Sequence, residues 1–281
     1  MSRAALALLL LAAGCRRAET PAPQGDPRAA SAPLADPSAP AAPYRVEAVA
    51  NGGTLTGVVR WDGPRPSLAA FTVGPVGNPA VCGATQPAEA LQLSDDGGVA
   101  FVVLSLSDIT RGRAPDPAVV TVDQTACRYV PHVTAVATGT EVRFTNSDRG
   151  AIHNVHAYYG YDVDDNWFNA TTPFGVATAR VAQRPGVARL TCDAGHVWMT
   201  GYLLAFPHPY FAVTDARGCF TIRDIPPGTY TLHAWHEGWE VARREGTGRA
   251  RYAPPHETDR RVTIAAGGTV DVTIPLRANG F

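Results

Sequence analysis

The sequence predicts an all-β protein built from two β-sandwiches. Short runs of alternating apolar and polar residues recur from about residue 46 to the C-terminus, and clusters of Gly, Pro, Asn and Asp separate them. No window sustains a helical period. Many short strands punctuated by turns are the signature of sandwiches rather than of open α/β sheets. The 281 residues, 45% apolar and 17% charged, suffice for one large or two small domains. A formal net charge of −1 supplies no basic field for phosphate backbones, which argues against a nucleic-acid partner.

The N-terminus reads as an export signal over residues 1–14. Arg3 gives the positive start, and Ala4 to Ala13 form an apolar run too short to span a bilayer as a mature helix. The run ends Leu11-Ala12-Ala13-Gly14-Cys15, which resembles the lipobox of bacterial lipoproteins, with Ala12 where Leu is more usual. The resemblance implies cleavage before Cys15 and lipidation of its thiol, an anchor in the cell envelope facing the periplasm or the cell surface. No later segment is long and apolar enough to cross a membrane, so contact with the membrane is expected through the lipid alone. Residues 15–45 are Ala- and Pro-rich with few large apolar groups; such a stretch cannot offset the entropy of ordering and is expected to act as a tether.

Residues 46–118 open the β region. Thr54 to Trp61 alternates and stops at Asp62-Gly63-Pro64; Leu91 to Leu93 and Val99 to Leu106 flank the turn signal Asp95-Asp96-Gly97-Gly98. Val119 to Val122, Val133 to Val136 and Glu141 to Thr145 continue the series, with Val142 and Phe144 facing a core and Glu141, Arg143 and Thr145 facing out. In residues 207–281, Ala212 to Ile222 predicts a hairpin turning at Asp215 to Gly218. Pro226-Pro227-Gly228 feeds the next strand, and Val270 to Ile274 ends the sheet. The pattern TDxxGxFxI…PPGxYxL resembles the carboxypeptidase regulatory-like (transthyretin-like) family of seven-stranded sandwiches, which implies a fold and little about function. The strands at 54–61 and 99–106 also suit the opening of that sandwich. The middle of the chain is therefore either a separate bead or an insertion into it.

The chemistry gathers in residues 119–206. All eight histidines lie beyond residue 131. A strand, Asn146-x-Asp148 and then His153-Asn154-Val155 are followed, after two more strands, by Cys192-Asp193-Ala194-Gly195-His196-Val197-Trp198-Met199. This arrangement resembles the small blue copper proteins, the plastocyanin-like cupredoxins, which are Greek-key β-sandwiches. The resemblance implies one copper ion held by His153, Cys192, His196 and Met199, with Asn154 bracing the ligand loop. One thiolate and two imidazoles suit both oxidation states of copper, and a weak thioether tunes the potential. The spacing here is C-x₃-H-x₂-M, whereas plastocyanin-like loops run C-x₂-H-x₄-M. It matches the second half of the binuclear loop of cytochrome oxidase, where the missing first cysteine would fall at Ala188. A mononuclear site follows, with its colour and potential open. His156 and His132 are alternative ligands or a second, weaker site.

With Cys15 lipidated and Cys192 on the metal, Cys82 and Cys127 are the expected disulfide of an exported protein and Cys219 is left as a free, half-buried thiol. The cluster Trp235-His236-Glu237 offers an aromatic edge for packing against the copper domain or for docking a partner. The His-x-His patterns of multicopper oxidases and a C-x-x-C-H haem attachment are absent from the sequence, so no enzymatic turnover is expected. The expectation is an exported electron-transfer protein with an unidentified redox protein as partner. Copper storage or sensing, or a non-redox β-scaffold or adhesion module, are the alternatives.

Overall fold

A computed structural model describes residues 43–161 and 165–281. The export segment 1–14, Cys15 and all but the end of the tether lie outside the described residues. Among the described residues the chain is all-β apart from two one-turn helices, Pro75–Gly77 and Pro79–Cys82, and no helix is long and apolar enough to cross a membrane.

Residues 120–206 form two packed sheets. One has the strand order Thr178–Val181, Glu141–Asn146, Val120–Thr125, Arg128–Val130. The other runs Asn166–Thr172, His153–Tyr159, Gly186–Thr191, Thr200–Phe206, Val133–Ala137. Alternation drives the packing: Val142 and Phe144 are fully buried while Arg143 between them is exposed. Their core joins Val122, Tyr129, Val155 and Leu190 and runs on into Cys192, Trp198 and Met199.

Seven further strands make a sandwich from both ends of the chain, with three short two-stranded sheets beside it. Gly53–Trp61 lies between Cys219–Ile225 and Thr269–Leu276, antiparallel to the first and parallel to the second. Val103–Leu106 lies between Phe211–Val213 and Gly228–His236, with His256–Ile264 beyond. Residues 120–206 therefore interrupt a sandwich whose strands precede and follow them. Every second residue of Gly53–Trp61 is buried, Leu55 and Val59 completely, against Leu104, Leu106, Ile222 and Ile274.

Several elements differ from the sequence expectation. Ala212 to Ile222 is a corner, not a hairpin: Phe211–Val213 belongs to one sheet and Cys219–Ile225 to the other. Leu91 to Leu93 and Val99 to Val102 make only an isolated bridge, Leu93 to Val99. The second run instead wraps Thr214, whose hydroxyl accepts from Val102 N–H at 2.9 Å and donates to Val99 C=O at 2.8 Å, while Phe101 takes a left-handed φ of 63°. Cys219 is half-buried but is not a free thiol; it is disulfide-bonded. Of the two uses expected for the Trp235 edge, the structure shows packing against residues 120–206 and not an open docking face. The Trp235 ring packs 5.3 Å from that of Tyr202, its indole N–H donates to the Tyr161 hydroxyl at 2.8 Å, and with Val103, Val133 and Leu204 it forms a small core between the sandwiches. Burying such side chains contributes about 1.5–3 kcal/mol each before ordering costs, and residues 43–281 form one compact unit.

Candidate metal centre

Two antiparallel strands bring the chemistry to one end of a sheet. His153 opens His153–Tyr159, and Gly186–Thr191, paired with it at His156 to Thr191, delivers Cys192. The chain returns as Thr200–Phe206, with Thr200 opposite Thr191, so Cys192 and Met199 are the two ends of one connecting loop. His153, Cys192 and Met199 are fully buried and His196 is 2% exposed. Met199 N–H closes the loop by donating to His196 C=O at 3.0 Å.

Three donor atoms converge. His153 Nδ1 and His196 Nδ1 are 3.1 Å apart, and Cys192 Sγ lies 3.4 Å from His196 Nδ1 and 4.0 Å from His153 Nδ1. A circle through three points so spaced has a radius of about 2.1 Å, the length of metal–imidazole and metal–thiolate bonds, which run about 2.0–2.3 Å. These three residues fit a metal ion without rearrangement. His153 Nε2–H donates to Asp148 Oδ2 at 2.8 Å, which leaves the Nδ1 lone pair aimed into the triangle. Asp148 is itself held by Ala126 N–H and Cys127 N–H, both at 2.7 Å, across a turn in which both residues are left-handed. His196 Nδ1 faces His153 Nδ1 and Cys192 Sγ, and His196 Nε2 is buried with no protein partner.

Burial sets the protonation. It lowers the His153 pKa despite the opposing hydrogen bond and charge of Asp148, and together with the charge of His153 it takes His196 down to about 4. Burial also raises the Cys192 thiol above its ordinary value. At neutral pH the pocket thus presents neutral imidazoles and a protonated thiol, and a metal must displace that proton.

Asn154 Oδ1 accepts from Asp193 N–H at 2.9 Å, tying the His153 strand to the ligand loop, and its backbone carbonyl accepts from the Tyr129 hydroxyl at 2.6 Å. His156 points away from the triangle: it is half-buried at the surface, with Nδ1 2.5 Å from Asp193 Oδ2. His132 is also elsewhere, buried between the sandwiches with Nε2 against Glu237 and Nδ1 3.9 Å from Glu89. Neither replaces a ligand.

A roof covers the triangle. Cys82 and Cys127 form a disulfide, and their sulfurs lie within 4.8 Å of a His196 ring nitrogen. The segment leading to Cys82 crosses the ligand loop: a Cβ at Gly195, where φ is +88°, would sit 2.7 Å from Val76 Cγ1, and one at Gly77 would meet the Trp198 ring. Asn78 Nδ2–H donates to Gly150 C=O at 3.0 Å on the other side. Trp198 Nε1–H donates to Cys127 C=O at 2.9 Å. The Cys82–Cys127 bond is as expected from the sequence, but its place over the site, the rest of the roof and Asp148 were missed by sequence reasoning. Asn146-x-Asp148 was visible only as spacing, and nothing in residues 73–82 marks them as a cover.

The profile described as polysaccharide lyase family 4, domain II matches residues 208–272, a different family from the carboxypeptidase regulatory-like one expected for this stretch. A search of curated proteins finds no match. Among solved structures, a purple cupredoxin from Nitrosopumilus maritimus is 23% identical, covering 31% of this chain and 99% of its own at a TM-score of 0.27. The copper-containing nitrite reductase of Thermus scotoductus SA-01 is 21% identical over 34% of this chain and 24% of its own, with a TM-score of 0.28. Amicyanin from Paracoccus versutus is 17% identical over 37% of this chain and 97% of its own, with a TM-score of 0.29.

Proposed function

We propose that the chain binds one copper ion through His153, Cys192 and His196, with Met199 as a weak fourth contact, and passes electrons between other redox proteins. The observation that carries this reading is the buried triangle of two imidazole Nδ1 atoms and one thiol at metal-bond radius. Copper, when bound, supplies a one-electron couple, and this donor set is acceptable to both of its oxidation states. The chain's own residues do the rest. Asp148 holds one imidazole in the metal-binding tautomer, Asn154 pins the loop, and the roof excludes water. The disulfide keeps Cys82 and Cys127 from offering thiolates, and Ala188 stands where a binuclear loop has its first cysteine, so one ion is expected. No catalysed reaction is proposed. An envelope location and a protein redox partner belong to this proposal as well.

Copper storage or sensing is the second reading, favoured by one observation: His196 is covered, which protects a bound ion and lengthens the path to a partner. One set of measurements separates the two. Copper-loaded protein is expected to show an intense thiolate-to-copper absorption and a reversible one-electron wave. Cys192→Ser should abolish the band, and His153→Ala should lose it where His156→Ala keeps it. Stoichiometric copper with no reversible wave supports storage or sensing. The absence of stoichiometric copper overturns both and leaves a β-scaffold.

A further inference from the structure

Outside the copper domain, one side chain reaches into the ligand loop. The hairpin Val241–Arg244 to Ala250–Tyr252 leaves the second sandwich, and Arg249 at its turn is 7% exposed. Its guanidinium forks onto the two ends of the loop. Nη2–H donates to Cys192 C=O at 2.6 Å and Nη1–H to Met199 C=O at 3.3 Å. Two carbonyls in a fixed fork are what arginine grips and lysine does not.

The cation is held without a close counter-ion. Asp193 Oδ1 is 3.7 Å away and Glu245 Oε2 3.8 Å, both beyond hydrogen-bond length. Both carboxylates are also shared, Asp193 with His156 and Glu245 with Arg251. A buried charge with no tight ionic partner is costly to keep, and the two loop carbonyls are its closest partners.

We infer that Arg249 is a positioning residue of the metal centre, through which the second sandwich clamps the ligand loop and biases a bound copper ion toward its reduced state. This rests on the copper reading only in its second half. The clamp needs no metal. The bias follows from charge: Cu(II) with one thiolate carries one positive charge and Cu(I) with one thiolate carries none, so a fixed neighbouring cation disfavours the oxidised form.

The test uses the whole chain with Arg249→Gln and Arg249→Lys, and two readouts. In metal-free protein, amide hydrogen exchange over residues 193–199 is expected to quicken at least about tenfold in both variants, because neither restores the fork, with exchange elsewhere unchanged. In copper-loaded protein, Arg249→Gln is expected to shift the Cu(II)/Cu(I) ratio at a given potential about tenfold toward Cu(II), a midpoint lower by about 59 mV. Arg249→Lys keeps the charge and should shift by less than half of that. Unchanged exchange over 193–199 overturns the clamp, and an unchanged midpoint in Arg249→Gln overturns the bias. If the parent protein gives no copper wave, the copper reading fails while the exchange result still decides the clamp. If the Gln variant does not fold, exchange in the Lys variant decides the clamp, and Arg249→Met, which also removes the charge, decides the bias by the same midpoint shift.

Discussion

Asp148 fixes which nitrogen of His153 keeps its lone pair. The carboxylate accepts the hydrogen bond from Nε2–H and also those from Ala126 and Cys127 N–H, so a side chain that touches no metal orients one that would. Asp148→Asn keeps the shape but removes the charge and half of the acceptor capacity. Copper affinity is expected to fall about 10–100-fold with the β circular dichroism unchanged, measured by competition against a chelator of known affinity. Unchanged affinity would mean that the His153 tautomer is set elsewhere. The ligands themselves were legible, because Cys192, His196 and Met199 share one short loop and His153-Asn154 follows a strand. Asp148 was legible only as spacing, since the turn that aims it is a matter of backbone shape. Arg249 carried no signal at all: it comes from another sandwich, and nothing in its local sequence tells what its guanidinium will meet.

At the scale of elements, the segment from Val73 to Cys82 matters because it is fixed at three points: Val76 against Gly195, Asn78 on Gly150, and the disulfide. A bond across a sequence separation of 45 restrains the unfolded chain strongly. By loop-closure entropy the double variant Cys82→Ser/Cys127→Ser is expected to lose about 4 kcal/mol, read as a lower midpoint in urea. A midpoint within error of the parent would show that packing alone holds the roof. Strands were readable where alternation met a clear face, as in Gly53–Trp61 and Glu141–Asn146. Prediction failed where apolar runs serve corners. Val99 to Val102 is buried on both sides because it wraps Thr214, and periodicity does not distinguish that from a buried strand. The turn at Asp215 to Gly218 has hairpin chemistry, yet its flanking strands part to different sheets.

At the scale of the molecule, the two sandwiches meet through Trp235 and, beside it, the buried set His132, Glu237 and Glu89. Burial opposes the His132 imidazolium, but the hydrogen bond and charge of Glu237, aided by Glu89, outweigh it and hold the pKa above its ordinary 6.5. A raised folded value stabilises the fold below the unfolded pKa, and that contribution is lost as pH rises through the folded one. Histidines with lowered values, such as His208 and His236, act only below 6.5. Urea stability is therefore expected to decline from pH 6.5 upward, and Glu237→Gln to flatten that decline while costing about 3 kcal/mol at pH 6.5. A flat profile in the parent protein would remove His132 from the interface energetics. The interrupted topology also sets an order of assembly. Gly53–Trp61 is made before its parallel partner Thr269–Leu276, which emerges after the other strands of the sandwich, with residues 62–268 between them. The intervening domain needs no such wait, because its own sheets close locally and faster. The ligand loop thus exists before the hairpin bearing Arg249 is in place, so a nascent chain passes through a stage in which its pocket is shaped but unclamped, and completion of the outer sandwich is what locks it.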